Sequence, residues 1–455
     1  MVSKRKRLSI SLSALLVFSG ILAGCSSSDN GGESTPSASA SSSAATSESP
    51  AASENKEPVT LEISWWGGDP RHKAIQDALV LFEKKYDWIT VKPTFSGFDG
   101  YGDKLTVQLS TDGAPDVFMF SRAVSQQFGK SDVLLNLYDH KDKIPYLADL
   151  EPFMESPYYK YQDKLVGLAA GITANVVVYN KKLYDEANVP YPTDDESWKS
   201  LGEKWSSVHK AKDVYGDAGW FYMPDTFALI MKQLGKEVVD GNATPPTAVV
   251  NTEEAKKIWQ WTEGLWADKS VARDSSDTIG FASGNLATAL SATSVLPTTV
   301  TETQDPLGFA TMPKTFDGTG SKVAIPPVPA GLWGIDKRTK HPEESILLIN
   351  FLMSDPDAIK ALQVTNGVPA VPASQELLKG QLAPESIEAA MVDVVARTQQ
   401  GADEYWSPAQ PLGIGEANAA FTTQMENFIF KGSDLDKFLS TAEAEMNAAL
   451  KAANP

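Results

Sequence analysis

Two tryptophans, an aspartate and an arginine crowd one short stretch: Trp65, Trp66, Asp69 and Arg71 within Ile63-Ser64-Trp65-Trp66-Gly67-Gly68-Asp69-Pro70-Arg71-His72-Lys73. Indole faces cover the C–H faces of a pyranose ring, and a guanidinium fork grips vicinal hydroxyls or a carboxylate. The pattern suits recognition of a sugar. The same residues equally suit a pair of large core side chains followed by the first turn of a solvated helix, so the surrounding elements must decide.

Val59, Leu61 and Ile63 alternate with Thr60, Glu62 and Ser64, which predicts a first strand ending at the tryptophans. Ile75, Leu79 and Phe82 predict a helix over 71–86 with a core-facing stripe. A second strand at Ile89-Thr90-Val91, a Gly-punctuated loop through Phe95 to Tyr101, and a helix carrying Leu105, Val107 and Leu109 come next. A turn at Asp112-Gly113-Ala114-Pro115 leads to a third buried strand ending at Ser121, with Asp116 anchoring the loop. This β-α-β-α-β order implies a largely parallel sheet, whose ligands bind beyond the carboxyl ends of the strands. Adjacent residues of an extended strand face opposite sides, which makes Trp66 the better platform and Trp65 the packing residue.

The chain opens with Lys4-Arg5-Lys6-Arg7 and an apolar run over 8–22, too short for a comfortable membrane span, then Leu22-Ala23-Gly24-Cys25. This resembles the leader and lipobox of bacterial lipoproteins. It implies a signal peptide over 1–24, lipidation of Cys25, and attachment to the extracellular face of the cell membrane. Residues 25–57 collapse to Ser, Ala, Thr, Pro, Gly and acids, a composition that forms a disordered tether rather than a core. Cys25 is the single cysteine, so disulfides are not expected.

The full chain carries a formal charge of -18. The leader holds four basic residues and no acid, and the tether holds five acids against Lys56, so the body beyond residue 57 keeps -18 as well. A body this acidic argues against nucleic acid as a partner, since phosphate binding needs clustered Lys and Arg. Carboxylate pairs in a chain with 58 acids do not indicate a glycosidase. No Gly-x-Ser-x-Gly elbow occurs, and Ser207-Val208-His209-Lys210 lacks a following Lys-Thr-Gly. His72, His140, His209 and His341 are scattered, without His-Glu-x-x-His spacing, an EF-hand loop or a phosphate loop. No metal, no cofactor and no catalytic residue is expected.

Several segments, taken in order, resemble one family. They are Tyr101-Gly102-Asp103-Lys104-Leu105, Gly113-Ala114-Pro115-Asp116-Val117, and Val177-Val178-Tyr179-Asn180-Lys181-Lys182-Leu183-Tyr184 with Ala187 and Val189-Pro190. Phe281-Ala282-Ser283-Gly284, Pro306-Leu307-Gly308-Phe309 through Pro313, and Gly331-Leu332-Trp333-Gly334-Ile335 followed by His341-Pro342-Glu343-Glu344 continue the series. The chain is similar to the sugar-binding lipoproteins of bacterial ABC importers, in the maltose/oligosaccharide branch of extracellular solute-binding proteins. The Trp65–Tyr101 region further resembles a subgroup associated with pectic or other plant-cell-wall oligosaccharides, although Met119 and its neighbours depart from that subgroup's Ala-Pro-Asp-x-x-Gln.

The resemblance implies a two-lobe α/β fold of the type II periplasmic-binding-protein kind, each lobe a mixed, mostly parallel sheet flanked by helices. It implies an N-terminal lobe of 58–169 plus 308–367 and a C-terminal lobe of 170–307 plus 368–455, with hinge crossings near 167–171, 307–313 and 367–372. It places Trp65, Trp66, Asp69, Arg71, Tyr101, Ser121, Arg122, Thr173, Asn175, Trp220, Tyr222, Asp225, Trp333 and Trp406 on loops around the inter-lobe cleft. Trp198, Trp205, Trp259, Trp261 and Trp266 lie in helical patterns and are expected in the core, and Trp88 in a structural turn. The implied partners are an oligosaccharide, with Arg71 reading a uronate carboxylate if there is one, and the permease subunits of an importer; the body is expected to be a monomer. A surface polysaccharide hydrolase or lyase, and a receptor for a non-sugar solute, are the alternatives.

Overall fold

The computed structural model describes residues 56–454, apart from 112, 155, 223 and 274–278. The leader, Cys25 and nearly all of the tether lie outside the described residues. Among the described residues no helix is long and apolar enough to cross a membrane.

Strand β1 (Val59–Trp66) buries Leu61, Ile63 and Trp65, and becomes buried on both faces from Ile63 onward. That is the pattern of a central strand. It pairs in parallel with β2 (Ile89–Ser96) on one side and β3 (Val117–Phe120) on the other. Helix α1 (Asp69–Lys85) begins at Gly68 with Pro70 in its first turn, and buries Ala74, Ile75, Ala78, Leu79 and Phe82. Lys84 and Lys85 stand in its last turn, where they complement the helix dipole. Helix α2 (Tyr101–Ser110) buries Tyr101, Leu105 and Leu109, whereas Val107 points to solvent. Asp116 anchors its loop as expected: one carboxylate oxygen accepts from the Glu62 N–H at 2.8 Å and the other from the Thr339 hydroxyl.

Two further strands complete this first sheet, in the order β2, β1, β3, Val328–Ile335, Leu168–Thr173. Both pair antiparallel, so mostly parallel pairing holds only among β1 to β3. A second sheet has the order Leu307–Thr311, Asn175–Asn180, Leu286–Ala292, Tyr215–Asp217, with one parallel pair and two antiparallel ones. Helices cover both sheets, which gives the α/β two-lobe fold expected from the sequence. Around the second sheet, Trp198, Trp205, Trp259 and Trp266 pack with Phe227, Phe421, Phe428 and Phe438 into an aromatic core, and Trp261 sits half-buried at its edge.

The crossings differ in position from those expected. Thr173 ends a strand of the first sheet and Asn175 begins one of the second, so the chain crosses at 174 rather than over 167–171. Leu307–Thr311 pairs inside the second sheet, which moves the next crossing to 312–327. Helix Pro372–Lys379 packs on helices Pro342–Ser354 and Pro356–Leu362 of the first lobe, and helix Ile387–Thr398 packs on Leu307–Thr311 of the second. We therefore place the third crossing at 380–386, not 367–372. The glycines that suggested hinges serve close packing instead. A Cβ on Gly171 would lie 2.3 Å from the Asn366 carbonyl oxygen. Gly367 takes a φ of +100° against the Ile172 carbonyl, where Ile172 and Val368 exchange N–H···O bonds of 2.7 and 2.9 Å.

Gly171→Ala should therefore destabilise the fold by about 1–3 kcal/mol, because backbone has to move. Gly415→Ala, in helix Ile414–Lys431 with nothing within 4 Å of a new Cβ, should stabilise by up to ~1 kcal/mol. Urea unfolding of both variants checks the contrast, and equal responses would contradict it.

Candidate functional site

At the carboxyl ends of β1 and β3 the first lobe opens into a cavity of about 290 Å³. Trp66 ends β1, Phe120 ends β3 with Ser121 just beyond it, and the loop over 97–100 carries Phe98 and Asp99 across to Tyr101 at the start of α2. Tyr101 is fixed from below: its hydroxyl and the Ser64 hydroxyl share a hydrogen bond of 2.9 Å, and burial raises its pKa well above the ordinary phenol value. The Trp66 ring meets Phe98 edge-on at 5.8 Å and Tyr101 at 5.5 Å. Trp66 shows only 7% of its surface, while Phe98 shows 63%. The exposed aromatic face of the cavity is therefore supplied mainly by Phe98, with Trp66 as its packed wall. Asp99 and Asp103 line the same cavity and offer acceptors to hydroxyl donors.

Phe98, Asp99 and Asp103 were not among the candidates drawn from the sequence. The signal for them was the pair Gly97 and Gly100 around an aromatic residue, a loop whose side chains have no strand or helix face to bury into.

The pleat separates the two tryptophans. Trp65 is fully buried on the other face, stacked on Phe95 at 5.1 Å, with its indole N–H donating to His72 Nδ1 at 3.1 Å. Asp69 stays exposed at the start of α1. Arg71 departs from the ligand-reading role: its Nε donates to the Thr365 carbonyl at 3.0 Å and its Nη1 to the Trp66 carbonyl at 3.2 Å. Burial lowers its pKa. Its guanidinium ties the end of β1 to the segment that pairs with the first crossing strand.

Arg122 and Asp225 come from different lobes and meet electrostatically. Arg122 follows β3, donates to the Pro329 carbonyl at 3.1 Å, and lies over the Tyr158 ring at 5.7 Å. Asp225 stands in the first turn of helix Pro224–Gln233. Burial pushes its carboxyl up, and the positive charge of Arg122 opposes that rise. Asp225 and Trp406 line a small second-lobe cavity of about 30 Å³ together with Gln410 and Asn418. Thr173 is buried, and its hydroxyl is 3.0 Å from that of Thr293 and accepts from the Ser294 N–H, so it braces the crossing. Asn175 lines a third, smaller cavity beside it.

Two expected platforms belong to the core. Trp220 is 1% exposed and lies among Trp198, Trp259 and Trp261, with ring centroids 5.7–6.2 Å away. The glycines before it do make a turn, but Asp217 folds that turn inward by accepting from the Gly219 and Trp220 N–H groups, both at 2.7 Å. Trp333 is 1% exposed because Val328–Ile335 is an inner strand, where Trp333 sits between Met119 and Leu168. Tyr222 closes the 3-10 turn Trp220–Tyr222, and its side chain lies outside the described residues.

A family model described as bacterial extracellular solute-binding protein matches residues 78–389. Among solved structures, the chain is similar to a periplasmic solute-binding protein from Pectobacterium atrosepticum (24% identity, TM-score 0.70, 87% of this chain and 100% of that one). It is similar also to a family 1 extracellular solute-binding protein from Alicyclobacillus acidocaldarius (20% identity, TM-score 0.72, 88% of this chain and 100% of that one). A third is an oligogalacturonide-binding protein from Yersinia enterocolitica in complex with saturated digalacturonic acid (21% identity, TM-score 0.66, 87% of this chain and 100% of that one). At these identities the likeness is one of fold.

The Asp217 carboxyl is buried, which pushes its pKa up to about 7 even though backbone N–H groups pull it down. An acid whose folded pKa exceeds its unfolded value of about 3.9 binds its proton more tightly when folded. Its contribution to stability is full below about pH 4 and is lost as pH rises toward 7. Asp217→Asn, which keeps an acceptor for the Gly219 and Trp220 N–H groups, should lose less stability than the wild type between pH 4 and pH 7. Urea midpoints at the two pH values check this, and parallel losses would contradict it.

Proposed function

The chain belongs to the bacterial extracellular solute-binding proteins, and within that family we propose that it captures an oligosaccharide for an ABC importer. The observation that carries this reading is the first-lobe cavity, with Phe98 and Trp66 as apolar walls and Asp99, Asp103 and Ser121 as polar ones. Pyranose rings present apolar C–H faces and hydroxyl edges, and this cavity offers a matching surface to each. A volume of about 290 Å³ holds one or two sugar rings, so a longer ligand extends toward the second lobe, where Asp225 and Trp406 stand. Contacts made to both lobes stabilise a closed arrangement, and closure follows by population shift. The permease then receives the ligand from the closed form.

A neutral sugar suits the cavity better than a uronate. Arg71, the residue expected to read a carboxylate, is held by two backbone carbonyls, and Asp99 and Asp103 would face a ligand carboxylate with like charge. The relation to plant-cell-wall sugars is accordingly proposed at the level of neutral oligosaccharides. Attachment to the outer face of the membrane through Cys25 belongs to the same proposal, as do a non-enzymatic role and a monomeric body.

Isothermal titration of the full chain against a panel of neutral and galacturonate oligosaccharides tests this reading. Phe98→Ala removes an exposed ring without disturbing the core and should weaken binding about tenfold or more. Trp220→Phe, remote from the cavity, should leave affinity unchanged. Neutral oligomers should bind at least as tightly as galacturonates of equal length. A folded protein silent across the panel, or one that releases new reducing ends from polymer, would overturn the proposal.

A further inference from the structure

We propose that Ser64 is a positioning residue for the sugar site: it touches no ligand, and it holds Trp66 and the start of α2 in place through Tyr101. The proposal rests on the first-lobe cavity being the binding site. Ser64 stands two residues before Trp66 in β1, so the pleat turns both to the same face of the sheet. It is 5% exposed and is not part of the cavity wall. Its hydroxyl and that of Tyr101 are 2.9 Å apart, and among the described residues no other side chain bonds to either. The Tyr101 ring in turn stands 5.5 Å from the Trp66 ring, tilted by 55°.

A buried serine on a strand whose other buried side chains are Leu61, Ile63, Trp65 and Trp66 calls for a reason. Exchanging both hydroxyls for apolar groups of the same shape is close to neutral, so an alanine facing a phenylalanine would pack here about as well. What the hydroxyls add is direction, because a hydrogen bond weakens steeply when bent or stretched and apolar burial is non-directional. Direction is needed at this point of the lobe. Helix α2 starts from Gly100 at a φ of +75° with no side-chain cap bond, so no side chain caps its first turn. Leu105 and Leu109 hold the helix on the sheet by apolar burial alone. Tyr101, its first residue, supplies the missing fix: its hydroxyl bonds Ser64, and its N–H donates to the Phe98 carbonyl at 3.3 Å. Phe98, Asp99 and Asp103 are therefore placed, together with Trp66, by one buried bond, and a binding site needs its groups held to a fraction of an ångström.

Three variants of the full chain test this: Ser64→Ala, Tyr101→Phe and the two combined. Each single exchange leaves a buried hydroxyl unpaired and should lower the urea midpoint, and the double variant should recover most of that loss. Affinity for an oligosaccharide bound by the wild type should fall about threefold to tenfold in Ser64→Ala and stay down in the double variant, although stability has returned. The fluorine resonance of 5-fluorotryptophan at Trp66 should shift or broaden in the ligand-free double variant, while that of Trp220 stays in place. A bond that serves stability alone gives the opposite pair of results: affinity returns with stability, and the Trp66 resonance is unchanged. Either of these would overturn the proposal. Should no oligosaccharide bind the wild type, the sugar reading falls by itself, and the ligand-free Trp66 resonance still decides whether Ser64 places that ring.

Discussion

Successive side chains of an extended strand point to opposite faces, and at the end of β1 that rule separates two adjacent tryptophans. Trp65 turns into the sheet's covered face, where Phe95 stacks on it and His72 accepts its N–H, while Trp66 turns to the cavity. Much of the first lobe follows from this split. His72 can reach Trp65 because α1 starts within three residues of the strand end, and Gly67 and Gly68 permit that short connection. Gly67 is also where Arg71 passes: a Cβ there would lie 2.6 Å from Arg71 Cδ. The same pleat that buries Trp65 thus delivers Trp66 as a wall and lets Arg71 fold back over the strand end.

The fold-back joins the site to the crossings. Arg71 binds the Trp66 carbonyl with one nitrogen and the Thr365 carbonyl with another, and three residues later Val368 pairs with Ile172 of the strand that leads into the second lobe. The cavity wall and the crossing are therefore one hydrogen-bonded unit rather than two. Arg122 and Asp225 influence each other electrostatically across the lobes, near Tyr158, without forming an ion pair.

Much of the first lobe was legible in the sequence because its determinants are local. The period-2 run of β1, the Ile75–Leu79–Phe82 stripe of α1 and the turn before β3 each need only a few neighbouring residues to be read. The split between Trp65 and Trp66 was legible for the same reason. What failed depends on contacts made far along the chain. Trp220 follows glycines, and glycines mark a turn without saying which way it folds; Asp217 and the rings of Trp198, Phe221, Trp259 and Trp261 decide that. Trp333 lies in a strand whose inner position is set by β3 and by Leu168–Thr173, both distant in sequence. Arg71 looked free because the carbonyl it binds is nearly three hundred residues away. A single phenylalanine in a loop, such as Phe98, reads as packing from sequence, whereas the folded chain leaves it 63% exposed.

The central claim is that Trp66 and Phe98 form the sugar-binding wall while Trp65, Trp220 and Trp333 are core residues. Fluorine NMR of protein labelled with 5-fluorotryptophan separates these roles in one spectrum, with each resonance assigned by a single Trp→Phe variant. Adding a bound oligosaccharide should move the Trp66 resonance and leave those of Trp65, Trp220 and Trp333 in place. Movement of Trp220 or Trp333 with Trp66 unmoved would contradict the account.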